Sequence, residues 1–245
     1  MSLRTLLLAA STICLAQAKP RLHARDWIAS DEIVGFNQTV PDDATGDLYL
    51  AYQPYLKVVN GCVPFPGVDA EGDTDAGLSP TGSSDGDCSS NTGQIYIRSN
   101  ITTTSTPSTS SPAALLYSWY MPKDEPSTGL GHRHDWEGVI IYLSSTATIS
   151  ADNILAVCPS AHGGWDCSTD GYTLSGTKAL IKYESIWPLD HSCGLTDVVG
   201  GTQPLVAWES LTTAAQDALQ TADFDKAIVP FKDSTFDENL AKATY

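Results

Sequence analysis

The residues best equipped for chemistry stand together in Gly131-His132-Arg133-His134-Asp135-Trp136-Glu137, where five of seven side chains can ionise. This stretch runs directly into the apolar residues Val139–Leu143. Polar groups that enter a core must find partners, because an unpaired one keeps the full cost of leaving water. If the chain is extended from residue 135 onward, Asp135 and Glu137 project to one face. Two carboxylates placed so close repel each other unless a proton or a cation intervenes. Asp124 precedes them, and Pro126, Gly129 and Gly131 in the expected loop Glu125 to Gly131 let the chain turn back and deliver a third carboxylate. Three carboxylates beside imidazole make an oxygen-dominated site, which suits Mg²⁺, Ca²⁺ or Mn²⁺ better than zinc. Two other readings fit the same residues. Arg133 balancing Asp135 and Glu137 would be a structural ion-pair network. Glu137 as base with His134 as acid would be catalytic. The spacing is not that of a zinc-protease helix, which needs two histidines four apart around a glutamate.

The elements that must position these residues are short and β-rich. Gln94–Arg98 alternates, Ala114–Tyr120 is mostly apolar, and Val139–Leu143 is a continuous apolar run suited to a strand buried on both faces. Ile154–Val157 and Ala179–Tyr183 follow the same habit, with turn residues between them. The pattern predicts an antiparallel β-sandwich with a few flanking helices. One helix is capped by Thr212 or Thr213 and lays down Ala215, Ala218, Leu219 and Ala222; a short second one covers Phe236–Ala243. Residues 62–88 form a Gly-, Ser- and Asp-rich segment closed by two cysteines. Thr102–Pro112 is a Ser/Thr/Pro tract that reads as a solvated loop.

Composition narrows the partners. The chain has 13 basic and 29 acidic residues, which argues against nucleic acid, whose phosphates require Lys and Arg. It also argues against simple adsorption to anionic lipid, so a membrane target must be recognised through a cation or a sugar headgroup. Residues 1–18 read as a secretory signal: Arg4, an apolar run to Leu15, then Ala16-Gln17-Ala18. Residues 19–245 would then form one secreted domain. Asn37 and Asn100 open N-glycosylation sequons. Once Cys14 leaves with the signal, Cys62, Cys88, Cys158, Cys167 and Cys193 remain, an odd set in an oxidising compartment.

The segment from Ala114 to Glu137 resembles the signature of the necrosis- and ethylene-inducing peptide family of cytolysins, and its last seven residues are highly specific. Asn60–Pro66, Ala161-His162-Gly163, Gly200–Leu205 and Val229–Asp233 are similar to further family segments. The resemblance implies a β-sandwich related in shape to actinoporins and fungal lectins. It also implies an acidic cavity holding Mg²⁺ or Ca²⁺, and damage to eudicot plasma membranes through the plant sphingolipid glycosylinositol phosphorylceramide. It carries the cation site onto Asp124, His132, Asp135 and Glu137, with His134 in the same motif. It carries sugar-contacting and loop-positioning roles onto Trp187, Asp190 and His191, and a further cavity histidine onto His162. It matches Cys62–Cys88 to the family's disulfide and places an immune-recognised peptide, read by a plant receptor, on residues 114–133. Met121 and Glu125 depart from the family's usual Phe and Ser, and Cys158, Cys167 and Cys193 are additional.

Between these extra cysteines, the spacing with Gly163-Gly164 suits a hairpin-like turn bridged by Cys158–Cys167, which leaves Cys193 as a thiol. The competing pairing joins Cys193 to one of the other two. The expected activity is that of a toxin contributing to virulence, not of an enzyme. Two alternatives are a metal-dependent hydrolase or lyase of plant polysaccharide using the same carboxylates, and a non-toxic binding protein or elicitor.

Overall fold

The computed structural model describes residues 26–101, 112–186 and 190–245; the expected signal, nearly all of the Ser/Thr/Pro tract and Trp187 lie outside them. The described chain is mostly β. A six-stranded sheet runs in the order β12 (Leu205–Ala207), β4 (Ile95–Ser99), β5 (Ala113–Ser127), β6 (Leu130–Leu143), β7 (Ile154–Ala161) and β8 (Gly164–Trp165). A second sheet joins β11 (Asp190–Leu195), β10 (Lys178–Ile186) and β2 (Tyr55–Val58), with β9 (Leu174–Ser175) also on β10. β1 (Trp27–Ile28) pairs with β3 (Thr74–Asp75). β11 packs over β5, β6 and β7, which sets the two larger sheets face to face.

The long pairings are antiparallel, as alternation and turn spacing suggest, but the sandwich is mixed rather than purely antiparallel. β2–β10, β12–β4 and β1–β3 pair in parallel, so β4 and β10 are each flanked by a segment distant in sequence. Val139, Ile140 and Ile141 are all fully buried, which accounts for the unbroken apolar run: both faces of β6 are covered there.

Helix α2 (Thr213–Thr221) begins where the capping signal places it, with the Thr212 hydroxyl accepting from Ala215 N–H, and α3 (Phe236–Lys242) follows. Helix α1 (Ala44–Tyr52) has no counterpart in the sequence reading. Asp43 caps it by accepting from Thr45 and Gly46 N–H, but its apolar residues are nearly contiguous and show no helical stripe. The expected loop Glu125–Gly131 is a second correction. β5 and β6 run on as one long hairpin that turns only between Ser127 and Leu130. Cys62–Cys88 and Cys158–Cys167 are both bridged, and Cys193 is a buried free thiol. The alternative bridge to Cys193 is not formed.

Candidate functional site

The hairpin end of β5–β6 builds the site. Asp124 lies directly opposite His132 in the ladder, and Met121 opposite Asp135. Gly131 permits this close return: a side chain there would meet the Asp124 carbonyl at 2.0 Å, and its φ of +124° suits only glycine. Strict alternation would put His132 and Asp135 on opposite faces. His134 breaks the alternation with a left-handed φ of +61°. As a result Asp124, His132, Asp135 and Glu137 all line one cavity of about 330 Å³, while His134 turns to the other side.

Each carboxylate on this wall has a distinct set of holders. Asp124 Oδ1 accepts from the His191 ring Nδ1 at 2.6 Å and from the His191 backbone N–H at 3.1 Å. His191 stacks on Tyr183 and abuts Gly61, where a side chain would strike the ring at 2.5 Å. Asp135 Oδ2 accepts from the Tyr183 hydroxyl at 2.8 Å, and Glu137 Oε2 accepts from the Ser160 hydroxyl. Hydroxyls orient a carboxylate without cancelling its charge. Burial holds the Glu137 carboxyl well above its ordinary range, and the neighbouring Asp135 and Asp124 charges push it the same way. Hydrogen bonds from Ser160 and the Cys193 N–H oppose the shift.

His132 supplies the most informative contact. Its Nδ1 lies 2.9 Å from the His134 carbonyl and therefore donates to it. In the neutral ring, Nε2 then carries a lone pair, and it faces Asp124 Oδ2 at 3.5 Å. Two electron-rich atoms face each other across a gap that a proton on His132 or a cation would fill.

With this geometry, residues 46–243 match the family described as Necrosis inducing protein (NPP1). The chain belongs to that family. It is 42% identical over 222 residues to NLP effector protein 10 of Phytophthora capsici, spanning 89% of this chain and 92% of that one. The solved structure of NLPPya in complex with mannosamine superposes with a TM-score of 0.80 at 44% identity, covering 89% of this chain and 99% of that one. The crystal structure of the non-toxic HaNLP3 protein also superposes at 0.80, with 33% identity over 87% of this chain and 98% of that one. The chain thus has the fold of a necrosis-inducing toxin family, which is generally a non-enzymatic toxin and binding fold.

In this NPP1-family chain the expected site residues divide. Asp124, His132, Asp135, Glu137 and His191 share the cavity. His134 does not: its Nδ1 meets the Tyr120 hydroxyl at 2.6 Å, and its ring packs against Trp27 and Phe224 beside a separate cleft. Desolvation there, and next the Arg133 charge, lower its pKa to about 4, so the ring is neutral at pH 7. His162 is exposed at the β7–β8 turn, where it and Gly163 both have positive φ; Gly163 and Gly164, not His162, line the cavity. Asp190 pairs its backbone with Ile186 at the start of β11, and Trp187 is outside the described residues. Asn37 is exposed. Asn100 is exposed too, but its side chain is engaged by Pro112 and Ala114.

Arg133 overturns the ion-pair reading. Its guanidinium donates to the Ala76 and Gly77 carbonyls at 2.8 and 2.6 Å and to the Ser79 hydroxyl at 2.7 Å, away from Asp135 and Glu137. Sequence reasoning missed Ser160, Tyr183, Trp165, Lys226 and Lys242, which hold or line the cavity from distant elements. Only strand alternation in β7 and β10 hinted at the first two, and nothing local marked the others. As a donor set, three carboxylates and one imidazole suit a hard divalent cation. Among the described residues no three His, Cys, Asp or Glu side chains are already gathered closely enough to hold an ion. The 330 Å³ cavity has room for the water that Mg²⁺ or Ca²⁺ ordinarily keeps.

Proposed function

We propose that this chain is a secreted, divalent-cation-dependent cytolysin that recognises the sugar headgroup of plant glycosylinositol phosphorylceramide and kills eudicot cells at the plasma membrane. The observation that carries this reading is the carboxylate wall: Asp124, Asp135 and Glu137 share one cavity beside an His132 nitrogen that faces Asp124 with no hydrogen between them in the neutral ring. Asp124, His132, Asp135 and Glu137 would hold Mg²⁺ or Ca²⁺, and the ion would supply exchangeable sites for sugar hydroxyls. His191 positions Asp124, while Tyr183 and Ser160 aim Asp135 and Glu137 into the cavity. The amino-sugar complex of NLPPya supports a glycan as the ligand. Family resemblance assigns sugar contact and loop positioning to Trp187 and Asp190.

Dye leakage from vesicles containing the plant sphingolipid tests the reading. Leakage should require a divalent cation and stop with chelator; equal leakage in both conditions would refute the role of the ion. The non-toxic HaNLP3 protein has this fold to the same TM-score, so the fold alone does not establish toxicity. Infiltration of eudicot leaves with intact protein separates the cytolysin from a non-toxic elicitor that acts through residues 114–133.

A further inference from the structure

We infer that the cavity also reads a negative charge: Lys226 and Lys242, which line it together with the exposed Ile228, take the phosphoryl group of the headgroup whose hydroxyls meet the carboxylate wall. This inference rests on the sphingolipid reading above. Lys226, Ile228 and Lys242 line the same cavity as Asp124, Asp135 and Glu137, so one ligand can meet both walls. An acidic wall alone repels a phosphorylated lipid. Lys226 and Lys242 in the same lining, with Glu238 as the only further acidic side chain among its described residues, turn that repulsion into a preference for a ligand with both hydroxyls and an anion.

The two ammonium groups are available for this task. Among the described residues Lys226 is exposed and makes no hydrogen bond or ion pair. Its neighbour Asp225 lines the separate cleft around Trp27 and His134 rather than this cavity. Lys242 is joined to Glu238 at 2.8 Å, with side chains 49% and 60% exposed. Such an exposed helical pair is weak and exchanges readily for a phosphate. Five other basic residues are committed elsewhere: Arg98 to Asp233, Lys123 to Glu125, Arg133 to residues 76–79, Lys178 to the Leu50 and Gln53 carbonyls, and Lys182 to Glu184. The chain has 13 basic residues against 29 acidic ones, and two of its lysines line the cavity that holds the three carboxylates. Ile228, 59% exposed in the same lining, favours a lipid surface over a free anion, because an apolar side chain gains nothing from a dissolved phosphate.

Co-sedimentation with phosphatidylcholine vesicles containing either glycosylinositol phosphorylceramide or glucosylceramide, which lacks the phosphoryl group, tests the inference. The double variant Lys226→Gln/Lys242→Gln should lose roughly tenfold or more in apparent affinity for the phosphorylated lipid. Its preference for phosphorylated over neutral lipid should collapse, and Lys226→Arg/Lys242→Arg should retain it. Circular dichroism confirms that each variant is folded. A double Gln variant that binds the phosphorylated vesicles as tightly as the wild type overturns the role of the two lysines and leaves the cation cavity standing. Wild-type protein that ignores those vesicles even with Mg²⁺ or Ca²⁺ overturns the sphingolipid reading itself. Release of wild-type protein by modest inorganic phosphate would make the lysine pair a free-anion site and overturn the lipid assignment.

Discussion

Asp124 and Glu125 are neighbours on one strand and meet opposite fates. Asp124 opens onto the cavity with His132, Asp135 and Glu137. Glu125 is fully buried on the other face, where it accepts from Lys123 at 2.7 Å, Gly82 N–H at 2.9 Å and Gly129 N–H at 2.8 Å. Burial pushes its carboxyl up, but these donors outweigh it and hold the group below its ordinary range. Arg133 and Lys123 on that second face also end on residues 76–83, inside the loop closed by Cys62–Cys88. The disulfide loop therefore supplies the partners that one face of the hairpin needs. The cavity face receives hydroxyls and imidazoles instead, which orient charge without removing it. Charges met by basic groups on this hairpin hold it in place, and charges held by hydroxyls and imidazoles are the ones that line the cavity.

The largest expected effects fall on activity. Asp124→Ala and Glu137→Gln should each abolish leaf necrosis, yet differ in stability. Asp124→Ala strips the buried His191 ring of its partner and should cost about 1–3 kcal/mol. Glu137→Gln removes a repelled charge and should leave the melting temperature equal or higher. Full necrosis from a folded Glu137→Gln protein would break the distinction between the two faces.

On the balanced face, Glu125→Ala should leave Lys123, 3% exposed, as a buried unpaired charge. The cost should be about 3–5 kcal/mol in urea denaturation. Necrosis per folded molecule should be unchanged, because no cavity residue is touched.

Titration sharpens the comparison further. Burial raises the Asp75 carboxyl to about 6 despite hydrogen bonds from Ser30, Gly77 and Tyr120. Its stabilising contribution is complete below its unfolded value of 3.8 and is lost as pH rises through about 6. His134 has the opposite sign: its pKa falls from 6.5 to about 4, so its contribution is complete above 6.5 and is lost as pH falls through about 4. The two slopes oppose each other in the wild type. In Asp75→Asn one slope is gone, so denaturation midpoints should show stability relative to wild type rising by about 3 kcal/mol between pH 4 and 6. A flat difference across that window would show that Asp75 is ionised throughout.

The smallest separation concerns the bridges. Loss of Cys62–Cys88, with 26 residues of separation, should cost about 3.5 kcal/mol, and loss of Cys158–Cys167, with 9, about 2.7 kcal/mol in the loop-entropy model. The Cys62→Ser/Cys88→Ser protein should lose more than that figure, because it also loosens the partners of Arg133 and Glu125. Equal melting temperatures for the two reduced variants would count against that coupling.

Much of this molecule was legible in its residues. The apolar runs placed β4, β5, β6, β7 and β10, Thr212 placed the start of α2, and the pairing Cys158–Cys167 followed from nine residues of separation around two glycines. Asp135 and Glu137 could be put on one face because alternation is a property of the strand itself. Tertiary structure alone decided who faces them. His132 joins the wall only because His134 takes a left-handed backbone, which no periodicity announces. Arg133, two residues before Asp135 and four before Glu137, turns away because carbonyls of Ala76 and Gly77 arrive from 57 and 56 residues earlier. Ser160, Tyr183, Lys226 and Lys242 reach the cavity from other strands and from the C-terminal segment. A local pattern records which way a side chain points from its own strand; the charge state and purpose of that side chain depend on what the fold brings opposite it.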